Sequence, residues 1–223
     1  MKLVAILGSP HGMKGSTGRL LAGLLDGARE AGAEVSTYSL SEKQVAPCRA
    51  CDVCHKTGKC SIQDDFQELL QAMLDADAIV LASPNYIVSV TAQMKALFDR
   101  CCGPLHLQIM DGKHAAAVVT SGGGGSEEVE SYILRFLRTL GCWTVGSVGA
   151  EGAQLFGEDS RTKMLVSAAS LGAKLVVAAE AKQTFPDQQA ERDAFRQRMK
   201  QLMTFRREEW PYEYEYWEAA GRL

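Results

Sequence analysis

Gly8-Ser-Pro-His-Gly-Met-Lys-Gly-Ser-Thr-Gly18 is the stretch from which the chain is read outward. It follows Lys2-Leu-Val-Ala-Ile-Leu7, an apolar run with the length of a buried strand. It precedes Arg19–Arg29, where Leu20, Leu21, Leu24 and Leu25 recur with a helical period. A strand, a small-residue loop and a helix leave backbone N–H groups unpaired at the helix N-terminus. An anion there is stabilised by hydrogen bonds and by the helix dipole. Ser9, Ser16 and Thr17 add hydroxyls, and the glycines let backbone approach a ligand closely.

The loop lacks the Walker pattern, which needs Lys and then Ser or Thr after its second glycine. It also lacks Gly-x-Gly-x-x-Gly, the dinucleotide fingerprint. A hydroxyl-rich loop after the first strand suits a phosphate held without metal. That favours a mononucleotide such as FMN over a bare βα turn.

Later segments fit the same plan. Ala33–Leu40 alternates apolar and polar residues and reads as an edge strand. Ala78–Ala82 and His114–Thr120 read as buried parallel strands, and Trp143–Val148 as a fifth. Between them, helices are predicted from Asp64, with Asp64 as cap and Gln67 as capping-box partner, from Thr91 to Cys102, and from a Ser126 cap. A longer helix follows over 161–182. This alternation predicts an α/β, doubly wound, five-stranded parallel sheet in the flavodoxin-like order 2-1-3-4-5 over residues 1–182. Ligands bind beyond the carboxyl ends of such strands, so Gly8–Gly18, Ser83–Val90 and Ser121–Ser126 should line one site.

The 223-residue chain is 46% hydrophobic with a formal net charge of −3, which gives no nucleic-acid footprint. No apolar run is read as a membrane span, and the chain enters a strand at once, leaving no room for a signal peptide. A cytoplasmic location is therefore expected, and its seven cysteines are read as reduced, for metal or redox use rather than disulfides.

The three loops, with Ser83-Pro-Asn-Tyr and Thr91-Ala-Gln-Met-Lys-Ala-Leu-Phe-Asp-Arg100, resemble the NADPH-dependent FMN reductase family of flavodoxin-like proteins over residues 1–180. The resemblance implies that Ser9, Ser16, Thr17 and Gly18 hold the FMN phosphate, with His11 inside the loop. Pro84, Asn85, Tyr86 and Ile87 would border the flavin and ribityl chain, and Ser121, Gly122, Gly123 and Gly124 the ring's far edge. It also implies a homodimer or homotetramer, with NAD(P)H as a transient substrate or a protein such as ferredoxin as electron partner.

Cys48, Cys51, Cys54 and Cys60 follow C-x2-C-x2-C-x5-C. Four thiolates within thirteen residues can wrap an iron–sulfur cluster. The bacterial ferredoxin run differs, with three residues before its last Cys and Pro after it. Zinc and empty or reversibly oxidised thiols are the alternatives. The spacing resembles that of the iron–sulfur flavoproteins, a branch of the same family, which implies a [4Fe–4S] cluster in loop 46–62. The readings are then an FMN oxidoreductase with a cluster, a cluster-free NAD(P)H:flavin or quinone reductase, or a non-catalytic electron carrier or redox sensor. Cys101, Cys102 and Cys142 read as buried structural thiols. Residues 183–223 form an extension: a charged helix over 188–206, then Trp210–Trp217. There Tyr212, Tyr214 and Tyr216 would share one face of an extended arm lying on the chain's own surface or on a neighbouring subunit.

Overall fold

The computed structural model describes all residues, 1–223. Five strands form one parallel sheet: β1 (Lys2–Leu7), β2 (Glu34–Ser39), β3 (Ala78–Pro84), β4 (His114–Ser121) and β5 (Trp143–Glu151). Their order is β2-β1-β3-β4-β5, the doubly wound arrangement expected from the alternation of strands and helices. β3 and β4 are almost wholly buried and read as continuous apolar runs. The edge strand β2 is half exposed, with Ser39 its one buried residue. One extra residue near Val145 in β5 shifts its register against Ala115 and Ala116.

Helices cover both faces. After a short 3-10 turn at Gly12–Lys14, α1 spans Ser16–Glu30. Then come α2 (Val53–Thr57), α3 (Phe66–Asp75), α4 (Ala92–Arg100), α5 (Cys102–Leu107), α6 (Ser126–Thr139), α7 (Gly152–Phe156), α8 (Glu158–Glu180), α9 (Pro186–Phe205) and α10 (Pro211–Ala219). One core, with Phe66, Met94, Leu97 and Ile133, lies under α3, α4 and α6. The other, with Leu20, Leu24, Ala168 and Leu175, lies under α1 and α8.

α1 and α8 touch backbone to backbone. A Cβ on Gly27 would lie 2.1 Å from the Ala169 carbonyl oxygen, and one on Gly172 would lie 2.0 Å from that of Leu24. This contact also places the long apolar helix α8. An 18-residue window of α8 has mean hydropathy 1.4, so by length and composition it is long enough to cross a membrane. That corrects the expectation that no run reaches such a length. In the fold α8 lies along α1 and beside β5.

Three local expectations are also corrected. Gly125, at φ 76°, is the N-cap of α6, and Ser126 is its first helical residue. The helix expected from Asp64 starts at Phe66. Gln67 makes no capping box and donates instead to the carbonyls of Cys60 and Ile62. The aromatic tail is not an extended arm: Pro211, whose ring fixes φ and lacks an N–H, starts helix α10. That helix buries Trp217 and Glu213 and packs on α2 and α5, so the tail covers its own chain. Asp111 fastens this extension by accepting from Arg192 (2.6 Å), Arg196 (2.7 Å) and Arg222 (3.3 Å).

Gly172→Val should force the α1–α8 backbones apart, since the clash is with main chain and not with a flexible side chain. The expected loss is about 3 kcal/mol of unfolding free energy by urea titration. A wild-type midpoint would contradict the close-contact account.

Candidate functional site

Parallel strands deliver the loops after β1, β3 and β4 to one rim of the sheet, and hydrogen bonds tie the three together. Gly8 N–H donates to the Ala82 carbonyl (2.7 Å), and Asn85 N–H to that of Thr120 (2.7 Å). The Thr91 hydroxyl donates to the Gly8 carbonyl (2.7 Å) and also accepts from Met94 N–H as the N-cap of α4. The Thr17 and Thr120 hydroxyls pair at 2.6 Å, both buried.

At the start of α1 the N–H groups of Ser16, Thr17 and Gly18 make no hydrogen bond to backbone or side chain. They are the orphan donors of a helix N-terminus and face the rim. Gly18 is required there, because a Cβ would sit 2.4 Å from Met13 Cα. Ser9 is buried and its hydroxyl accepts from His11 N–H (3.3 Å), while the His11 side chain is exposed. Ser16 is exposed, so its hydroxyl is the least engaged of the three.

Across the rim, Asn85 donates through Nδ2 to the carbonyls of Gly124 (3.3 Å) and Gly125 (3.2 Å). Its Oδ1 is buried without a partner. Ser121 bonds the Gly124 carbonyl, and Gly122 and Gly123 face open space. Pro84 ends β3, and Tyr86, Ile87 and Val88 project outward, Ile87 almost fully exposed. Ile87 (φ 49°) and Val88 (φ 60°) hold left-handed backbone, an uncommon conformation for β-branched residues that costs about 1–3 kcal/mol each. An unpartnered acceptor, free amides and a strained apolar loop at one rim fit a planar, phosphate-bearing ligand.

The cysteine loop leaves the same rim from β2 and runs toward the far end of α4. Ala50 (φ 49°), Asp52 (φ 56°) and Gly58 (φ 73°) turn the chain through left-handed conformations. Gly58 closes α2, its N–H donating to the Cys54 carbonyl (2.9 Å). Cys48, Cys51, Cys54 and Cys60 are all free thiols and border one cavity of about 310 Å³. Three sulfurs already have donors or partners: Arg100 Nε–H to Cys60 (3.1 Å), Ala50 N–H to Cys48 (3.4 Å) and the Ser61 hydroxyl beside Cys51 (3.4 Å). The Ser61 hydrogen bond lowers the Cys51 thiol below its ordinary pKa. A single zinc would draw its thiolates to about 3.8 Å from one another, given Zn–S near 2.3 Å. The ligand-type side chains that lie within 4.8 Å of one another are a different set, His55, Cys102 and His106. Thiols spread around a cavity fit a polynuclear iron–sulfur core better than one ion.

Arg100 holds this loop to the domain. Its side chain is fully buried and reaches Asp64 (2.8 Å) and the carbonyls of Ala46 (3.0 Å) and Ile62 (3.3 Å). Burial opposes the charge on Asp64, but hydrogen bonds from Arg100, Ala46 and Phe66 outweigh it and hold the carboxyl below its usual range. Arg100 ends the helix whose N-cap, Thr91, contacts Gly8. The nine residues of α4 therefore separate rim from cysteine loop by about 14 Å.

Residues 1–154 match the family described as NADPH-dependent FMN reductase. The chain belongs to that family. An iron–sulfur flavoprotein of Archaeoglobus fulgidus is 33% identical over 225 residues, 99% of each chain. Another, from Methanocaldococcus jannaschii, is 43% identical over 100 residues, 45% of this chain and 51% of that one. Among solved structures, an NAD(P)H:quinone oxidoreductase from Methanothermobacter marburgensis shares the fold, with TM-score 0.64, 18% identity, and 78% and 96% of the two chains covered. This FMN reductase family member is an FMN-dependent oxidoreductase with a flavodoxin-like sheet.

The family signature did not point to one feature. Cys102, read from sequence as a structural thiol, is only half-buried and lies 3.9 Å from both His55 and His106. Hydrogen bonds from His106 and His55 draw the thiol down to about 6, against burial. Cys101 and Cys142 do behave as buried hydrophobes, with burial pushing each thiol up to about 12. The available signal was Cys102-Gly-Pro-Leu-His106, whose i,i+4 spacing puts two soft ligands on one helical face. Arg100 and Asp64 were missed as a pair because 36 residues separate them.

Arg100→Met should lower unfolding free energy by about 3 kcal/mol at pH 7, because Asp64 loses its buried partner. The Asp64 pKa is depressed in the fold. Its stabilisation is therefore complete above the ordinary carboxylate value of about 4, and is lost as pH falls through the folded value. Denaturation curves of wild type and variant should converge toward pH 2. Equal stability at pH 7 would contradict the assignment.

Proposed function

We propose that this FMN-dependent oxidoreductase holds FMN on the rim of β1, β3 and β4 and a [4Fe–4S] cluster on Cys48, Cys51, Cys54 and Cys60. The single observation that carries the cluster reading is the set of four free thiols around one cavity, three of them already met by hydrogen-bonding groups. End-to-end similarity to a protein named iron–sulfur flavoprotein supports it. FMN exchanges electrons in pairs or singly, and a cluster passes them one at a time.

The chain's own residues bind and orient. Ser16, Thr17 and Gly18 offer amides, and Ser9 and Ser16 hydroxyls, to the phosphate, with the α1 dipole adding to the attraction. Asn85, whose Oδ1 has no partner within the chain, would turn that oxygen to the flavin ring, and the Gly122–Gly124 backbone would border it. The Tyr86–Val88 loop borders the open side, where NAD(P)H or a quinone-like acceptor would stack. Arg100 offsets thiolate charge at Cys60. Residues 1–182 then form the cofactor domain, and 183–223 an extension fastened to it. The electron partner is NAD(P)H or a ferredoxin-like protein. A homodimer or homotetramer in the cytoplasm completes the reading.

Protein purified without oxygen should contain one FMN with about four iron and four sulfide per chain. Cys54→Ala should abolish the iron and leave FMN bound. Full flavin without iron in the wild type would instead select a cluster-free reductase. Loss of FMN together with iron in Cys54→Ala would make the loop a folding element only.

A further inference from the structure

Beside the four-cysteine cavity, three helices bring together a second set of ligands. α2 carries His55, α5 carries Cys102 and His106 one turn apart, and α10 carries Glu213. Cys102 Sγ lies 3.9 Å from Nε2 of each histidine, and the three atoms lie within 4.8 Å of one another. Behind the rings, Glu213 accepts from His55 Nδ1 (2.6 Å) through Oε1 and from His106 Nδ1 (3.0 Å) through Oε2. Glu213 is completely buried and His55 is 5% exposed. The Trp210 ring stacks on both imidazoles, at 4.4 and 5.3 Å between centroids.

An ionised carboxylate only accepts, so the hydrogens of the Glu213 bonds belong to the two Nδ1 atoms. That fixes both rings with Nε2 toward Cys102. A carboxylate behind each histidine is the arrangement that orients imidazole ligands on a metal. With Zn–N near 2.0 Å and Zn–S near 2.3 Å, a tetrahedral ion needs about 3.6 Å between nitrogen and sulfur, a few tenths less than is found here.

We propose that His55, Cys102 and His106 form a mononuclear site for a zinc-class divalent ion, with Glu213 as the residue that positions both histidines. Charge supports it. A thiolate and a buried carboxylate carry two negative charges, which a divalent ion between neutral imidazoles cancels. Three protein ligands leave a fourth position open, as in zinc sites that bind water or substrate. Asp52 Oδ1 is 3.8 Å from His55 Nε2, on the exposed side. None of the three ligands belongs to the C-x2-C-x2-C-x5-C motif, although His55 and Cys102 also line the four-cysteine cavity.

The test is equilibrium dialysis of the anaerobically isolated protein, with its cofactors, against Zn2+. Metal content and zinc K-edge X-ray absorption are the readouts. One zinc per chain is expected, in a shell of two imidazole nitrogens, one sulfur and a light atom. His106→Ala and Cys102→Ala should lose it, and Glu213→Gln should weaken it about 10- to 100-fold. A Cys51→Ser, Cys60→Ser double variant should lose iron yet keep the zinc, which separates this site from the cluster. Absence of stoichiometric zinc in the wild type, or a shell of sulfur alone, would overturn the proposal without recourse to any variant. So would zinc retained by folded His106→Ala.

Discussion

Three backbone N–H groups at the start of α1 have no partner within the chain, and the site's architecture follows from that deficit. Helix geometry guarantees such orphans; the sheet decides where they point. Because β1, β3 and β4 run parallel, the orphan donors meet the Asn85 and Ser121–Gly125 loops on one rim. The Thr17–Thr120 hydroxyl pair and the Thr91–Gly8 bond then fix the loops to one another, each bond joining residues far apart in sequence. An anion at this rim would meet neutral donors and the positive end of the α1 dipole.

The cysteine loop is organised by different forces. It contributes little to the core and is held from two sides. From within the domain, Arg100 binds Asp64 and two loop carbonyls. From outside, α10 packs Tyr212 against Gly58, where a Cβ would lie 2.3 Å from the ring, and buries Glu213 against His55 and His106. The C-terminal helices thus complete the surroundings of the thiols. Asp111, with its three arginines, and the stacking of Arg192 on Trp143 at 3.9 Å keep those helices in place.

The sheet was legible in the sequence because its central strands are unbroken apolar runs and its helices carry a 3.6-residue pattern; both are local signals. The convergence of the three rim loops followed from topology alone. Helix boundaries near Asp64 and Ser126 were less legible, because capping is settled by which backbone donors a side chain reaches. The tail misled for a related reason. Alternation of Tyr and Glu has the period of a strand, but Pro211 and the burial of Trp217 and Glu213 on α2 and α5 select a helix. Partners of that kind, like Arg100 with Asp64 or Cys102 with His55, lie tens of residues apart and leave no periodic trace.

The central claim is that a flavin phosphate rests on the Ser16–Gly18 amides. Titration of flavin-free protein with FMN and with riboflavin, followed by quenching of flavin fluorescence, tests it most directly. The two ligands differ only in the phosphate. Charge-assisted hydrogen bonds from these donors should make FMN bind at least about 100-fold more tightly. Equal affinities would contradict the account.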